Sequence, residues 1–283
     1  MRNLAISLLL CVTTAWLGAA SQAPSPTVTP FEVSSIKRNV AGGFITIDVQ
    51  PNGRFIVNNA PVSDMILMAY QLQPFQLAGA PDWVTHDAYD VLANGEPTSA
   101  PITGAGPPVS PTQLRLRQLL ADRFKLRSHM ETREMPIYAL TRARADGKLG
   151  NQLERVSIDC SVLARPSGPP SLPKPGERPP CRMFVTPVSI GAGGVPLPQL
   201  ASILGMQVGR QVVDRTGLEG LYAFTLDFAP NPIAGAPPGP AAAAANAPSL
   251  FTALEEQLGL KLQATRGPVD VIVIDSIERP SEN

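Results

Sequence analysis

Histidine is nearly absent from this chain, aromatic residues are few and net charge is nil, and each scarcity removes a class of function. Two histidines, His86 and His129, stand in 283 residues, and no HExxH pairs them on a helix as a zinc peptidase needs. No serine lies in a GxSxG elbow, so the hydrolase nucleophile that such a turn presents is not written locally. Lysine and arginine number 23 against 23 aspartates and glutamates. That balance supplies no long-range field to gather nucleic acid or an anionic membrane. Cysteine is scarce too: beyond Cys11 only Cys160 and Cys181 remain.

What is present begins with an address. Met1 to Ala23 carries Arg2, an apolar run from Leu4 to Val12 and small residues at Gly18, Ala19 and Ala20, the layout of a secretory signal peptide cleaved after Ala20 or Ala23. The run is shorter than the ~20 residues that cross a bilayer, and none of that length follows. The mature protein is therefore expected in the periplasm or the medium, without an integral membrane segment. In an oxidising compartment Cys160 and Cys181 read as a disulfide. A metal site is the alternative, with no histidine nearby to complete it. The 31 prolines, about twice ordinary usage, cluster at Pro97 to Pro111, Pro166 to Pro180 and Pro230 to Pro248, where gaps filled by Gly and Ala read as surface loops or linkers.

Between these loops the chain repeats itself. Strand FEVSSIK from Phe31 leads to FITIDVQ and RFIVNNA, joined at Pro51-Asn52-Gly53, where Asn-Gly offers the positive φ angles of a hairpin turn. Pro61 opens a helix with Val62, Met65, Ile66 and Ala69 on one face; strands at Phe75 to Leu77 and Tyr89 to Ala93 follow. A helix at Thr112 to Phe124 then precedes strands at Leu126 to Thr132 and Ile137 to Arg142, divided at Pro136. The second half runs in the same order: strand Met183 to Ile190, helix Leu197 to Leu204, strands Arg210 to Asp214 and Leu221 to Phe228, then a helix and two strands over Pro248 to Asp275. Pro61 matches Pro196, Met65 and Ala69 match Leu200 and Leu204, and Tyr89 matches Tyr222, at offsets of 133 to 135. A constant offset argues for internal duplication. The expected fold is α+β: two tandem βαββαββ two-layer units, residues 31–145 and 183–280, separated by a Cys- and Pro-rich connector at 146–182.

The motifs FEVSSIK, PNGRF, GAPDW, LLADRFKL, HMETREMPIYAL, VVDRTGLEGLYAFTLDF and SLFTALEEQLGLKL, followed by VIVIDSIERPSEN, resemble a family of secreted soil-bacterial proteins of unknown function over nearly all the mature chain. In some relatives a similar domain is appended to membrane-bound metallopeptidase sensor proteins, which implies a sensing or binding module outside the membrane. Each half is more loosely similar to the short N-terminal domains of secretins and TonB-dependent receptors. Neither resemblance places a functional residue.

Candidate chemistry is correspondingly thin. His129 and Glu131 fall on one face of a strand, and His86 lies close to Asp82, Asp87 and Asp90; either group offers at most a two-ligand or acid–base pair, beside the plainer reading of a polar strand face and of turn-forming aspartates. Gly191-Ala192-Gly193-Gly194 before a helix suggests an anion nest or, more simply, a loop. Trp83 reads as core. No cofactor is implied. The composition favours a non-catalytic binding or sensing module whose partner is a protein, peptide or glycan. A hydrolase assembled from dispersed carboxylates and histidines is the competing class.

Overall fold

The computed structural model describes residues 28–97, 109–160, 178–230 and 247–281; the expected leader and most of the three proline-rich segments lie outside them. The first half forms β1 (Glu32–Asn39), β2 (Thr46–Val49), β3 (Phe55–Pro61), α1 (Val62–Tyr70), β4 (Leu77–Ala78), α2 (Asp82–His86), β5 (Ala88–Asn94), α3 (Pro111–Arg123) and β6 (Arg127–Arg142). The second forms β7 (Leu153–Val156), β8 (Met183–Val185), β9 (Ser189–Val195), α4 (Leu197–Val208), β10 (Val212–Asp214), β11 (Leu221–Asp227), α5 and β12 (Leu260–Ser276). Helix α5 is regular over Leu250–Ala253 and widens into a π turn over Leu254–Leu258.

The fold is α+β, built on three four-stranded sheets. Two outer sheets, β1-β5-β3-β2 and β7-β11-β9-β8, are antiparallel throughout. Counted by position within each half, their strand orders coincide. A third, central sheet in the order β10-β6-β12-β4 draws two strands from each half. The segment expected as a connector supplies β7 to the second outer sheet.

The central sheet corrects the picture of two self-contained units. Strands β6 and β12 are 16 and 17 residues long and pair antiparallel from Leu260 opposite Arg142 to Ser276 opposite Arg127. Each therefore reaches beyond its own half. Ile272 and Ile274 of β12 bury in the first core with Phe55, Met65, Leu120 and Phe124. Leu140 of β6 buries in the second with Leu200, Leu204, Phe224 and Leu258. The parallel additions follow the same exchange: β4 joins β12 at Ile272 and β10 joins β6 at Tyr138, positions 134 residues apart.

Pro136 does not divide β6, because the strand's two edges are unequal. The Tyr138 amide donates to Gln211 O on the β10 side at 2.9 Å, so residues of that parity direct their backbone polar groups away from β12. Pro136, opposite Arg266, thus lacks its N–H on the outer edge, where β10 has not yet begun, and costs no bond of the long ladder. Pro268, opposite Glu134, has the same parity on β12. Prolines placed this way blunt open strand edges.

Local signals carry most other elements. Ser110 caps α3, its hydroxyl accepting from the Gln113 amide while Gln113 returns a bond to the Ser110 amide, and the Ser249 hydroxyl accepts from the Thr252 amide at the start of α5. Helices α4 and α5 end at Gly209 and Gly259, both left-handed. In the β2–β3 turn only Gly53 takes positive φ; its amide closes on Gln50 O and Gln50 N returns to Arg54 O, a type I turn followed by a bulge rather than the primed turn expected from Asn-Gly. Gly191 to Gly194 form neither nest nor loop but lie within β9, where Phe184 and the Pro179 carbonyl approach too closely for a Cβ at Gly191 or Gly193. Cys160 and Cys181 are disulfide-bonded, with Cα atoms 5.6 Å apart.

Candidate functional site

The histidine candidates separate onto two elements. Asp82 and His86 are the first and last residues of α2, and His86 Nδ1 contacts the Asp82 backbone carbonyl at 2.8 Å and Thr85 Oγ1 at 3.0 Å. The Asp82 carboxylate is no partner of the ring; the pair is a helix-terminal bond, which accounts for their spacing. Asp87 instead receives Arg38 and Arg279 at 2.6 and 3.1 Å. Desolvation pushes its carboxyl upward, but the two guanidinium bonds outweigh that and hold it below the usual range. Asp90 accepts from the Asn59 amide and from the Asn39 side chain, fixing the left-handed Asn59 at the bulge in β3. Trp83 packs on the first core, edge-on to Tyr89, with Arg279 over its ring at 4.9 Å.

His129 and Glu131 share a face of β6 as their spacing predicts, yet they do not act on each other. His129 Nδ1 pairs with Asp275 of β12 at 2.9 Å, and Glu131 accepts from Arg133 at 2.8 Å. Chiefly through that Arg133 bond, against an opposing desolvation, the Glu131 carboxyl lies below its ordinary value. A general acid needs the opposite shift. The His129 and Asp275 side chains are 54% and 48% exposed, and no hydroxyl or thiol bonds the ring among the described residues. Nor does any group of three or more His, Cys, Asp and Glu among them form a metal site.

A concave site lies elsewhere, and nothing in the local sequence marked it. Tyr138 of β6, Val208 and Arg210 at the end of α4, Pro230 beyond β11, and Leu250 and Phe251 at the start of α5 line a cleft of about 500 Å³, within the range of small-ligand sites. Phe251 is 41% exposed and stands edge-on to Tyr138 with ring centres 5.7 Å apart. The Arg210 guanidinium lies over the Tyr138 ring at 5.6 Å. Tyr138 comes from the first half and the remainder from the second, so the cleft exists only because β6 crosses over.

No described helix is long and apolar enough to cross a membrane. A family model described as "Protein of unknown function (DUF3738)" matches residues 63–277. Neither the curated proteins nor the solved structures compared give a match.

Proposed function

We propose, from the premise that the chain belongs to the DUF3738 family of proteins of unknown function, that it is an exported, non-catalytic binding module. The observation that carries this reading is the mismatch between chemistry and concavity. His86, His129 and Glu131 are exposed and already bonded to a neighbouring side chain or to backbone, whereas no histidine or carboxylate is among the described residues that line the cleft at Tyr138 and Phe251. An aromatic, concave surface with one cation among its described lining suits recognition; the Ser249 hydroxyl in that lining is held by Thr252, with no general base beside it among the described residues. The Cys160–Cys181 bond supports an oxidising compartment, periplasmic or extracellular, and the leader reading at Met1 to Ala23 gives the route. The soil-bacterial setting and the likeness of each half to short secretin and TonB-receptor domains rest on sequence resemblance alone.

The test is a titration screen of the purified, oxidised protein against peptide and glycan libraries, with a hydrolase and metal-content screen on the same sample. Saturable binding without turnover is expected. Turnover, or stoichiometric metal, abolished by His129→Ala would replace this reading with the hydrolase one. Mass analysis of exported protein should find Met1 to Ala23 removed.

A further inference from the structure

We infer that two copies of this chain pair edge to edge along β6, joining their central sheets across a two-fold axis at Thr132; this goes beyond the binding-module reading and does not depend on it. One edge of β6 carries the long ladder to β12, and the other meets a described strand only at β10, over Tyr138 to Leu140. On that outer edge the Tyr138 amide donates to Gln211 O and the Leu140 carbonyl accepts from the Arg215 amide, so the even-numbered residues of β6 face it. The register with β12 is regular down to Ser128, and Met130, Thr132 and Glu134 therefore direct their amides and carbonyls outward, with no described strand to receive them. The Glu134 carbonyl accepts from the Arg266 guanidinium at 2.9 Å and keeps a second lone pair. Met130 is 51% exposed, and Glu131 to Glu134 are exposed as well. A row of strand groups left in water is a template for another strand.

The residues along the edge select a second copy as that strand. The run from Ser128 to Pro136 is symmetric about Thr132. In antiparallel self-pairing centred there, Thr132 faces Thr132 of the copy and Met130 faces Glu134, all with backbone groups aimed at each other. Pro136, which has no N–H to give, falls opposite Ser128 at the end of the ladder rather than inside it. On the other face Glu131 stands opposite Arg133 of the copy and Arg133 opposite Glu131, so the ion pair formed within one chain at 2.8 Å extends into a ring of alternating charge. Moving the centre by one residue sets Glu131 against Glu131 or Arg133 against Arg133. The corresponding edge of β12 is the internal control. β4 joins β12 at Ile272 as β10 joins β6 at Tyr138, which places Arg266 where β6 has Thr132. There an arginine would face itself, with Pro268 inside the run. Charge and proline position thus admit a copy along β6 and refuse one along β12, and an isologous contact of this kind closes at two copies.

Sedimentation equilibrium of the mature, disulfide-bonded protein should show a monomer–dimer equilibrium, and hydrogen exchange at the Met130 and Thr132 amides should slow as concentration rises through it. Thr132→Pro removes an outward N–H at a position of the same parity as Pro136, so it spares the β6–β12 ladder and should abolish the dimer. Thr132→Ala keeps that amide, loses only the side-chain bond to Asp270 at 2.6 Å, and should still dimerise. Glu131→Arg and Arg133→Glu should each weaken self-association by about tenfold or more, because like charges then meet across the axis. Mixed in equal amounts, these two variants should dimerise with each other, and the chain carrying both changes should dimerise with itself. Circular dichroism and thermal melting matched to the parent protein establish that each variant is folded, and the charge exchange carries the test if Thr132→Pro does not fold. A monomer at every concentration, or a dimer indifferent to charge reversal, would overturn the pairing. So would protection of the Met130 and Thr132 amides that does not change with concentration, which would mean that the chain covers its own edge.

Discussion

The two outer sheets carry the same strand order but are held together differently. Around the first, side chains lock the helices: Gln71 donates to Gln113 and Arg117 Nε to the Ala69 carbonyl, both at 2.9 Å, and Arg115, 3% exposed, donates to the carbonyls of Thr29 and Glu96 and ties the chain before β1 to the end of β5. The second has a shorter α5, a cleft at the start of that helix and a disulfide from Cys160, shortly after β7, to Cys181, just before β8. Where helix packing is reduced, a covalent bond restrains the neighbouring strands. The difference shows how one strand plan can be held by side-chain bonds in one place and by a covalent bond in another, provided a shared sheet keeps both in register.

That shared sheet is where the comparison breaks most severely. If Leu140 and Ile272 complete each other's cores, neither half has a finished interior, and calorimetry should show one cooperative unfolding transition for both. Leu140→Ala or Ile272→Ala, each at a fully buried site, should cost about 2–5 kcal/mol and lower that single transition. Two resolved transitions, with Leu140→Ala shifting only one of them, would return the molecule to two independent units.

The next largest effect is expected at the disulfide. Cys160→Ala with Cys181→Ala releases a closure spanning 21 positions, and chain entropy sets the loss at about 3 kcal/mol. Hydrogen exchange should rise at β7, β8 and β9 more than at β1, β2 and β3. Equal acceleration in both outer sheets would remove the compensating role assigned to the bond. Alkylation of the untreated protein should label neither cysteine.

Smaller still is the capping comparison. Ser110→Ala and Ser249→Ala each remove an accepted amide bond and should cost about 1 kcal/mol. At Ser110 the loss also orphans half of a reciprocal box closed by Gln113. That helix should lose the more, by guanidine titration, if α3 is the tighter of the two.

What the sequence disclosed and withheld divides by range. Hairpin β2–β3, α1, α3 and α4 were legible because caps, turn residues and apolar spacing lie within a few positions of one another. The disulfide followed from having two thiols outside the leader. The repeat order was legible from the matched offsets, but which half each strand pairs with was not: β6 was read as two short strands because Pro136 looks like a break until one knows which edge it faces, and β12 was read as two by its match to β6. The His129 and Glu131 face was readable from strand parity, while Asp275, 146 residues away, left no local trace. The cleft left none at all, being lined by Tyr138 of one half and by residues beside the ends of α4 and α5 of the other.

The last comparison is between the junction of the halves and the rest of the surface. After β6 the chain turns through Arg144, Asp146 and the left-handed Gly147, and Asp146 accepts from the Arg144 guanidinium at 2.8 Å and from the Lys148 amide at 3.0 Å. The Arg144 bond first and the Lys148 amide second lower its carboxyl to about 2, below the 3.8 of an unperturbed aspartate. A depressed carboxylate favours the folded form above its unfolded value and loses that contribution as the pH falls through its folded one, so the window is roughly pH 4 down to 2, at the unfolded and folded values just given. Carbon-detected NMR titration should find Asp146 ionised at pH 3, and Arg144→Ala should return its midpoint toward the ordinary value. Because the pair is exposed, the accompanying loss of stability should be at the low end for surface ion pairs. A midpoint that stays near 2 in Arg144→Ala would show that the turn's backbone amides, not the guanidinium, hold the junction charged.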